Sequence, residues 1–427
     1  MLTVKFSRLL CNDSSYSGIP ATLLFCIFLW VLGAIVPDFN SYDRAITIDD
    51  AVKRYTTGNL GNQLFWGGAF LIALYLTFKV KAISSVLINS FVPLITLISI
   101  AVVSCLWSIE PGTSLRRVIL QIFVCYSLIA VVFALPDHKV VLNIIYKALC
   151  VVLFYDFIAL VIMPWDHFYG FPGIHGHKNS MGTIAAIALY VGAWSYSTGK
   201  RNVSLYGYFI SWSLLIVLSM SKTSIILFFI PIILYGFSIS LKKILRSVYG
   251  ILFFGAGGLF LSILFIVAIG IDEFNLSDLV SLLDDDVLTG RGYIWKYMLS
   301  IIYDNGALGF GYAAFWGTEY ASFSAGLVSR LNQTHNGYID LLVQFGLLGY
   351  LLILGFLIEA SRILHRASAD IGLYFITFCM VMFLLLHNLT ESTLFRSTSI
   401  LWLMLLVFYL LSHKANLLKS SFDRSIT

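Results

Sequence analysis

The chain has 427 residues, 59% of them hydrophobic and only 11% charged, with a net charge of +5; a soluble domain carries roughly 25% charge. That composition excludes a soluble globular enzyme, and it argues against a nucleic-acid partner because much of the positive excess belongs to the positive-inside signal of a membrane protein. The apolar runs are continuous rather than alternating, so they are read as helices, each needing about 20 residues to cross the hydrocarbon core.

The first twenty residues are basic and then polar. The run that begins at Ala21 has no small-residue cleavage site after it, so it reads as a retained first span. Further spans are expected near 62–78, 83–107, 114–134, 139–163, 180–198, 204–220, 222–240, 247–270, 338–360, 371–388 and 398–413, after a first near 20–36. The sum is an all-α bundle of about twelve transmembrane helices. Only the tight connection "SMSK" separates the seventh from the eighth, and merging them would reverse every later orientation. With a cytoplasmic amino terminus, every inside segment holds a Lys or Arg, which supports an even number of spans. The chain then reads as one membrane domain, 1–427, with a large periplasmic loop at 271–337 between spans nine and ten. Connections of that length are usually functional. Five of the six cysteines fall in apolar runs, so no disulfide framework is implied.

The cations on the outside are the informative ones, because basic residues are disfavoured in short outside loops. They are Arg44, Lys53, Arg54, Arg116, Arg117, Lys178, Lys222, Arg291, Lys296, Arg330 and Arg396. Arg116 and Arg117 open span four, Lys178 precedes span six, Lys222 opens span eight and Arg396 precedes span twelve. Each alone could snorkel or pair with an outside carboxylate such as Glu110 or Glu391. As a set they suit a phosphate ligand, since guanidinium donors match phosphate oxygens in pairs and lysine adds a compact charge. A polyprenyl diphosphate is the foremost candidate, its chain in lipid and its diphosphate at the boundary.

Four polar segments interrupt the apolar pattern. "GFPGIHGHKNSMG", residues 170–182, cannot be helical before about Asn179, where Asn179 or Ser180 would cap span six beside Lys178 and leave an anion site at the helix start. The alternative is a re-entrant turn whose polar groups satisfy one another. His167, His175 and His177 would be the metal ligands of a third reading, which their flexible spacing and the lack of a nearby thiolate disfavour. "DDDVLTGRGYIW" puts three carboxylates, residues 284–286, before Arg291; they would hold a divalent ion or form a solvated acidic face. In "LNQTHNGYIDLLVQFGLLG", His335 and Asn336 lie in a polar turn, which favours proton transfer by His335 over a structural role. "HNLTESTLFRS" sets Glu391 and Arg396 between the last two spans.

"LWSIEPGTSLRR", "GIHGHKNSMG", "LSMSKTS", "LTGRGYIW", "GFGYAAFW", "THNGYIDLLVQFGLLG" and "HNLTES" together resemble the O-antigen ligase and Wzy-type polysaccharide polymerase superfamily, in its exopolysaccharide polymerase branch. The resemblance covers about residues 105–400 and is most specific in the pairing of "GHKN" with "THNGY". It implies a GT-C-like bundle in the bacterial inner membrane, with its site facing the periplasm. It also implies a metal-independent glycosyltransferase without a cofactor, using undecaprenyl diphosphate-linked oligosaccharides as donor and acceptor. A chain-length regulator is a candidate partner protein. Carried over by position, His335 assists the acceptor hydroxyl and Arg291 grips the diphosphate. Glu391 is the alternative base, and Arg116, Arg117, Lys178, Lys222 and Arg396 are further diphosphate ligands. His177, Asn179 and Asn336 shape the site. Lys222 stands where an arginine is usual, which keeps the charge and loses the two-pronged geometry. A ligase delivering glycan to lipid A core or protein needs the same donor site. A transporter is the rival from another class, suggested by Lys147 and Asp156 inside span five, but neither repeats nor paired broken helices accompany them.

Overall fold

A computed structural model describes residues 18–39, 59–79, 91–165, 167–240, 291–305, 308–316, 318, 321, 333–368 and 370–426. Among these residues there are thirteen α-helices and no strand. The first half is built from α1 (Gly18–Val31), α2 (Leu60–Lys79), α3 (Val92–Ser104), α4 (Pro111–Ala134), α5 (His138–Ile162), α6 (Lys178–Ser197), α7 (Val203–Leu218) and α8 (Lys222–Ser240). The second comprises α9 (Arg291–Asn305), α10 (Gly337–Phe345), α11 (Leu347–Ala367), α12 (Ile371–His387) and α13 (Ile400–Ile426). By length and composition α2, α4, α5 and α11 can each cross a membrane, and α1, α3, α7, α8, α12 and the first part of α13 are shorter apolar helices. The chain is a helical membrane bundle.

Helix α6 is its axis, packed by α5, α7, α8 and α12. Small residues let the neighbours approach so closely: a Cβ at Gly182 would collide with Ser221 and Ser224, and one at Gly192 would press on Tyr208 and Phe209. The "SMSK" connection does separate two helices, with Met220 in the left-handed region at φ 49°. Side-chain caps start α6, α8 and α10. His177 Nδ1 accepts from Asn179 N at 3.1 Å, Ser221 Oγ from Ser224 N at 3.3 Å, and Asn336 Oδ1 from Tyr338 N and Ile339 N at 3.0 and 3.1 Å.

The expected tenth span is broken in two at Gly346 (φ 55°). The reason is the segment "GFGYAAFW". Phe310 N and Gly311 N donate to the carbonyls of Val343 and Gln344 at 2.9 Å each, so the end of α10 is satisfied from outside and the helix need not continue. Tyr312 locks the same segment to α3, through its N–H on Ser104 Oγ (3.0 Å), and to Phe395 O through its hydroxyl (2.9 Å). Helix α13 runs on past the expected boundary at 413 to Ile426. The expected ninth span, the carboxylates at 284–286, Arg44, Lys53, Arg54 and Arg330 lie outside the described residues.

Candidate active site

The turn between α12 and α13 is shaped by Asn388. Its Oδ1 accepts from the N–H groups of Thr393 and Leu394 at 2.8 and 3.0 Å, and its carbonyl accepts from Gly337 N at 2.9 Å. An added Cβ at Gly337 would strike the Asn388 side chain, so the start of α10 is seated directly on this turn. Glu391, 8% exposed, projects from it as an acceptor of four hydrogen bonds. Asn179 Nδ2 and Arg291 Nη2 reach Oε1 at 2.8 and 3.0 Å, and Gln333 Nε2 and His335 Nδ1 reach Oε2 at 3.0 Å each. Three segments that are far apart in the chain therefore meet on one carboxylate of a fourth. Burial opposes its ionisation, but the His335 hydrogen bond and the neighbouring positive charge, that of Arg291 included, outweigh it and hold the carboxyl at about 2.

An ionised Glu391 can only accept, so the hydrogen on His335 must sit on Nδ1. That leaves Nε2 of the neutral ring with its lone pair and, among the described residues, no hydrogen-bond partner. The His335 backbone has φ 53°, a left-handed conformation that costs a non-glycine residue energy and is typical of functional turns. Thr334 braces it from both sides, its N–H on Asp340 Oδ1 (3.2 Å) and its hydroxyl on Asn336 O (2.6 Å). Arg291 gives one Nη2 hydrogen to Glu391, and among the described residues no other hydrogen bond uses its fork.

The glycine-rich knot is held from below. Asp156 on α5 is fully buried; its Oδ1 accepts from Ile174 N at 3.1 Å and its Oδ2 lies 3.2 Å from His175 Nε2. Gly173, at φ 58°, has no room for a Cβ beside that carboxylate. The knot is thus a turn held by α5 and by the end of α7, and it leads into the start of α6. From there Asn179 spans two elements, accepting from Ser221 Oγ at 3.0 Å through Oδ1 while its amide reaches Glu391. Burial lowers the basicity of His177, which suits its role as a cap acceptor. Lys178 and Lys222 are the first residues of α6 and α8, and the two helix starts are joined by the Ser221 Oγ bond to Asn179 Oδ1.

The other expected residues are arranged differently. Arg396 Nη2 lies 2.8 Å from Asp340 Oδ2, so it braces the His335 turn from behind rather than bonding to Glu391. Arg116 donates to Gly112 O and Thr113 Oγ1 in its own turn of α4, and Arg117 is one residue further along. Asn336 caps α10 and gives its amide to Leu389 O at 3.3 Å. His167 meets Trp165 edge to face, with ring centroids 4.2 Å apart, while His175 faces Asp156 and His177 caps α6, so the three histidines serve separate tasks. No group of three His, Cys, Asp or Glu side chains is placed to hold a metal ion among the described residues. Gln333, Ser221, Asp340 and Asn388 went unread in the sequence. Only Gln333 carried a signal, as a neighbour of His335 in a polar run.

The segment with most of these groups can be compared with known families. Residues 207–354 match the O-antigen ligase family model. The match covers about a third of the chain and includes Ser221, Lys222, Arg291, Gln333, His335 and Asn336. It supports the O-antigen ligase and Wzy-type superfamily that the motifs resemble. Glu391 and Asn179 lie outside the O-antigen ligase segment and close on it from either side. No curated protein matches the chain.

Proposed function

We propose that this O-antigen ligase-like protein is a polysaccharide polymerase. It transfers a glycan from a polyprenyl diphosphate carrier to a sugar hydroxyl of a lipid-linked repeat unit, at a site facing the periplasm. The observation that carries this reading is the shared carboxylate: Glu391 holds the Arg291 guanidinium and the His335 imidazole at 3.0 Å each. A cation and a ring nitrogen with a free lone pair, locked together, are what a leaving diphosphate and an attacking hydroxyl require.

In the reaction the acceptor oxygen attacks the anomeric carbon while the bond to the carrier's diphosphate oxygen breaks. The electron pair leaves on the diphosphate, and the hydroxyl proton passes to His335 Nε2. Attack opposite the leaving group inverts the anomeric centre. His335 supplies general-base help of about 10²- to 10⁴-fold. The unused donors of Arg291 meet the charge that grows on the diphosphate, and removing one such donor typically costs about 2.7–4 kcal/mol. With its carboxyl held at about 2, Glu391 is a weak proton acceptor, so its task is to orient rather than to act as the base.

The helix starts support an anionic substrate. Cations are disfavoured at the positive end of a helix dipole, yet Lys178 and Lys222 open two helices whose first turns are hydrogen-bonded together through Ser221 and Asn179. A bound diphosphate reverses the sign of that cost. The second reading is a ligase delivering the glycan to lipid A core or to protein, favoured by the description of the matching family. Purified protein supplied with lipid-linked repeat units alone tests the choice. Long glycan chains are expected, and a strict need for core or protein acceptor would leave the ligase.

A further inference from the structure

At the end of the bundle opposite Glu391 stands a second polar cluster. Glu359 on α11, 8% exposed, accepts from Arg362 Nη1 at 3.1 Å and Arg366 Nη1 at 2.9 Å, and His413 Nε2 on α13 lies 2.7 Å from Arg366 Nη1. Two guanidinium groups thus face one carboxylate, and each has five N–H donors. Among the described residues no further hydrogen bond uses the remainder, and the Arg362 side chain is 56% exposed.

Glu359, the carboxylate that holds both guanidinium groups, lines one end of an apolar groove of about 390 Å³ between α3, α11 and α13, walled by Leu97, Ile100, Leu352, Phe356 and Leu405. Tyr409 lines the same groove at its polar end; it is 5% exposed, and its hydroxyl has no hydrogen-bond partner among the described residues. A buried phenol normally finds a partner, so this hydroxyl is available to a polar group that enters the groove. Val92 and Leu351, both 61% exposed, stand on the rim, so the groove opens on the apolar outer surface of the bundle. A second hollow continues it along α3 to Val103 and Trp107. From Val92 to Val103 the path is about 17 Å at 1.5 Å per residue, close to one leaflet of a hydrocarbon core roughly 30 Å thick.

We propose that this groove binds an anionic phospholipid of the leaflet opposite the Glu391 site, its acyl chain between α3 and α11 and its phosphate on Arg362, Arg366 and Tyr409. Basic pockets between membrane helices recognise such headgroups, and the fork of Arg362 matches a phosphodiester two oxygens at a time. A polyprenyl tail fits less well: its diphosphate belongs at the Trp107 end, which would leave Arg362 and Tyr409 idle, and its length exceeds one leaflet.

Wild type, Tyr409→Phe and Arg362→Gln, each reconstituted in nanodiscs of phosphatidylglycerol and of phosphatidylcholine, give the test by thermal midpoint and by mass spectrometry of retained lipid. The wild-type midpoint should be higher in phosphatidylglycerol by about 5 °C, through binding to the folded state alone. Each variant should lose most of that difference while matching wild type in phosphatidylcholine. Tyr409→Phe keeps the ring, so it serves even if Arg362→Gln does not fold. Equal wild-type midpoints in the two lipids, an undiminished difference in Tyr409→Phe, or retention of polyprenyl phosphate in place of phosphatidylglycerol would overturn the proposal.

Discussion

His335 Nδ1 lies 3.0 Å from Glu391 Oε2, and the same carboxyl takes Arg291 on its other oxygen. One side chain therefore sets the tautomer of the proposed base and the aim of the proposed diphosphate grip. Glu391→Gln should fold, because an amide fills the same space, but it can present an N–H to His335 and favour the wrong tautomer. Glycan formation at matched expression should fall by about 10²- to 10⁴-fold. Combining it with His335→Ala should add little. Full activity in Glu391→Gln would remove the dyad from the mechanism.

Stability should depend on pH through the same group. Glu391 ionises at about 2 in the folded protein, below the ordinary value of 4.5 that it regains on unfolding. A depressed carboxyl contributes stability that is complete above the unfolded value and disappears as pH falls through the folded one. The thermal midpoint in detergent should therefore drop between about pH 4.5 and 2 in wild type. Glu391→Gln should show a smaller drop in that window.

Asp156 should matter through the knot. Asp156→Ala orphans the Ile174 N–H and leaves His175 buried without its partner, and breaking a buried pair costs about 3–5 kcal/mol. Asp156→Asn keeps an acceptor for Ile174 N and should fold better. Lower thermal midpoints in the order wild type, Asn, Ala are expected, and equal midpoints would deny the anchor.

The fate of Arg396 separates two roles. If it braces Asp340, whose side chain is 3% exposed, Arg396→Ala should cost about 2 kcal/mol, less than a fully buried pair because the arginine is partly solvated. Arg396→Ala with Asp340→Ala should recover part of that loss. A fall in activity at unchanged stability would instead restore Arg396 as a substrate ligand.

Much of this was legible along the chain because membrane helices announce themselves by continuous apolar length. The seventh and eighth spans stayed distinct on the strength of three polar residues in "SMSK", since Ser221 caps the second of them. The break at Gly346 was not legible, because its cause is Phe310 and Gly311 donating from another part of the chain. His335, Arg291 and Glu391 could be named from polar turns between apolar runs, yet their meeting on one carboxylate depends on tertiary packing. Arg396 looked like a ligand because Asp340, the residue that claims it, sits inside an apolar-looking span.

The indole N–H of Trp295, on the helix that begins with Arg291, donates to the Thr334 carbonyl at 2.9 Å, one residue before His335. This tether links the arginine's helix to the histidine's turn, so that, under the proposed function, a carrier drawing the helix toward itself would also re-aim the imidazole and capture of the donor would prime attack by the acceptor. Trp295→Phe, which cuts the tether and keeps the bulk, should leave each partner present but uncoordinated, so that donor saturation no longer sharpens the acceptor's rate.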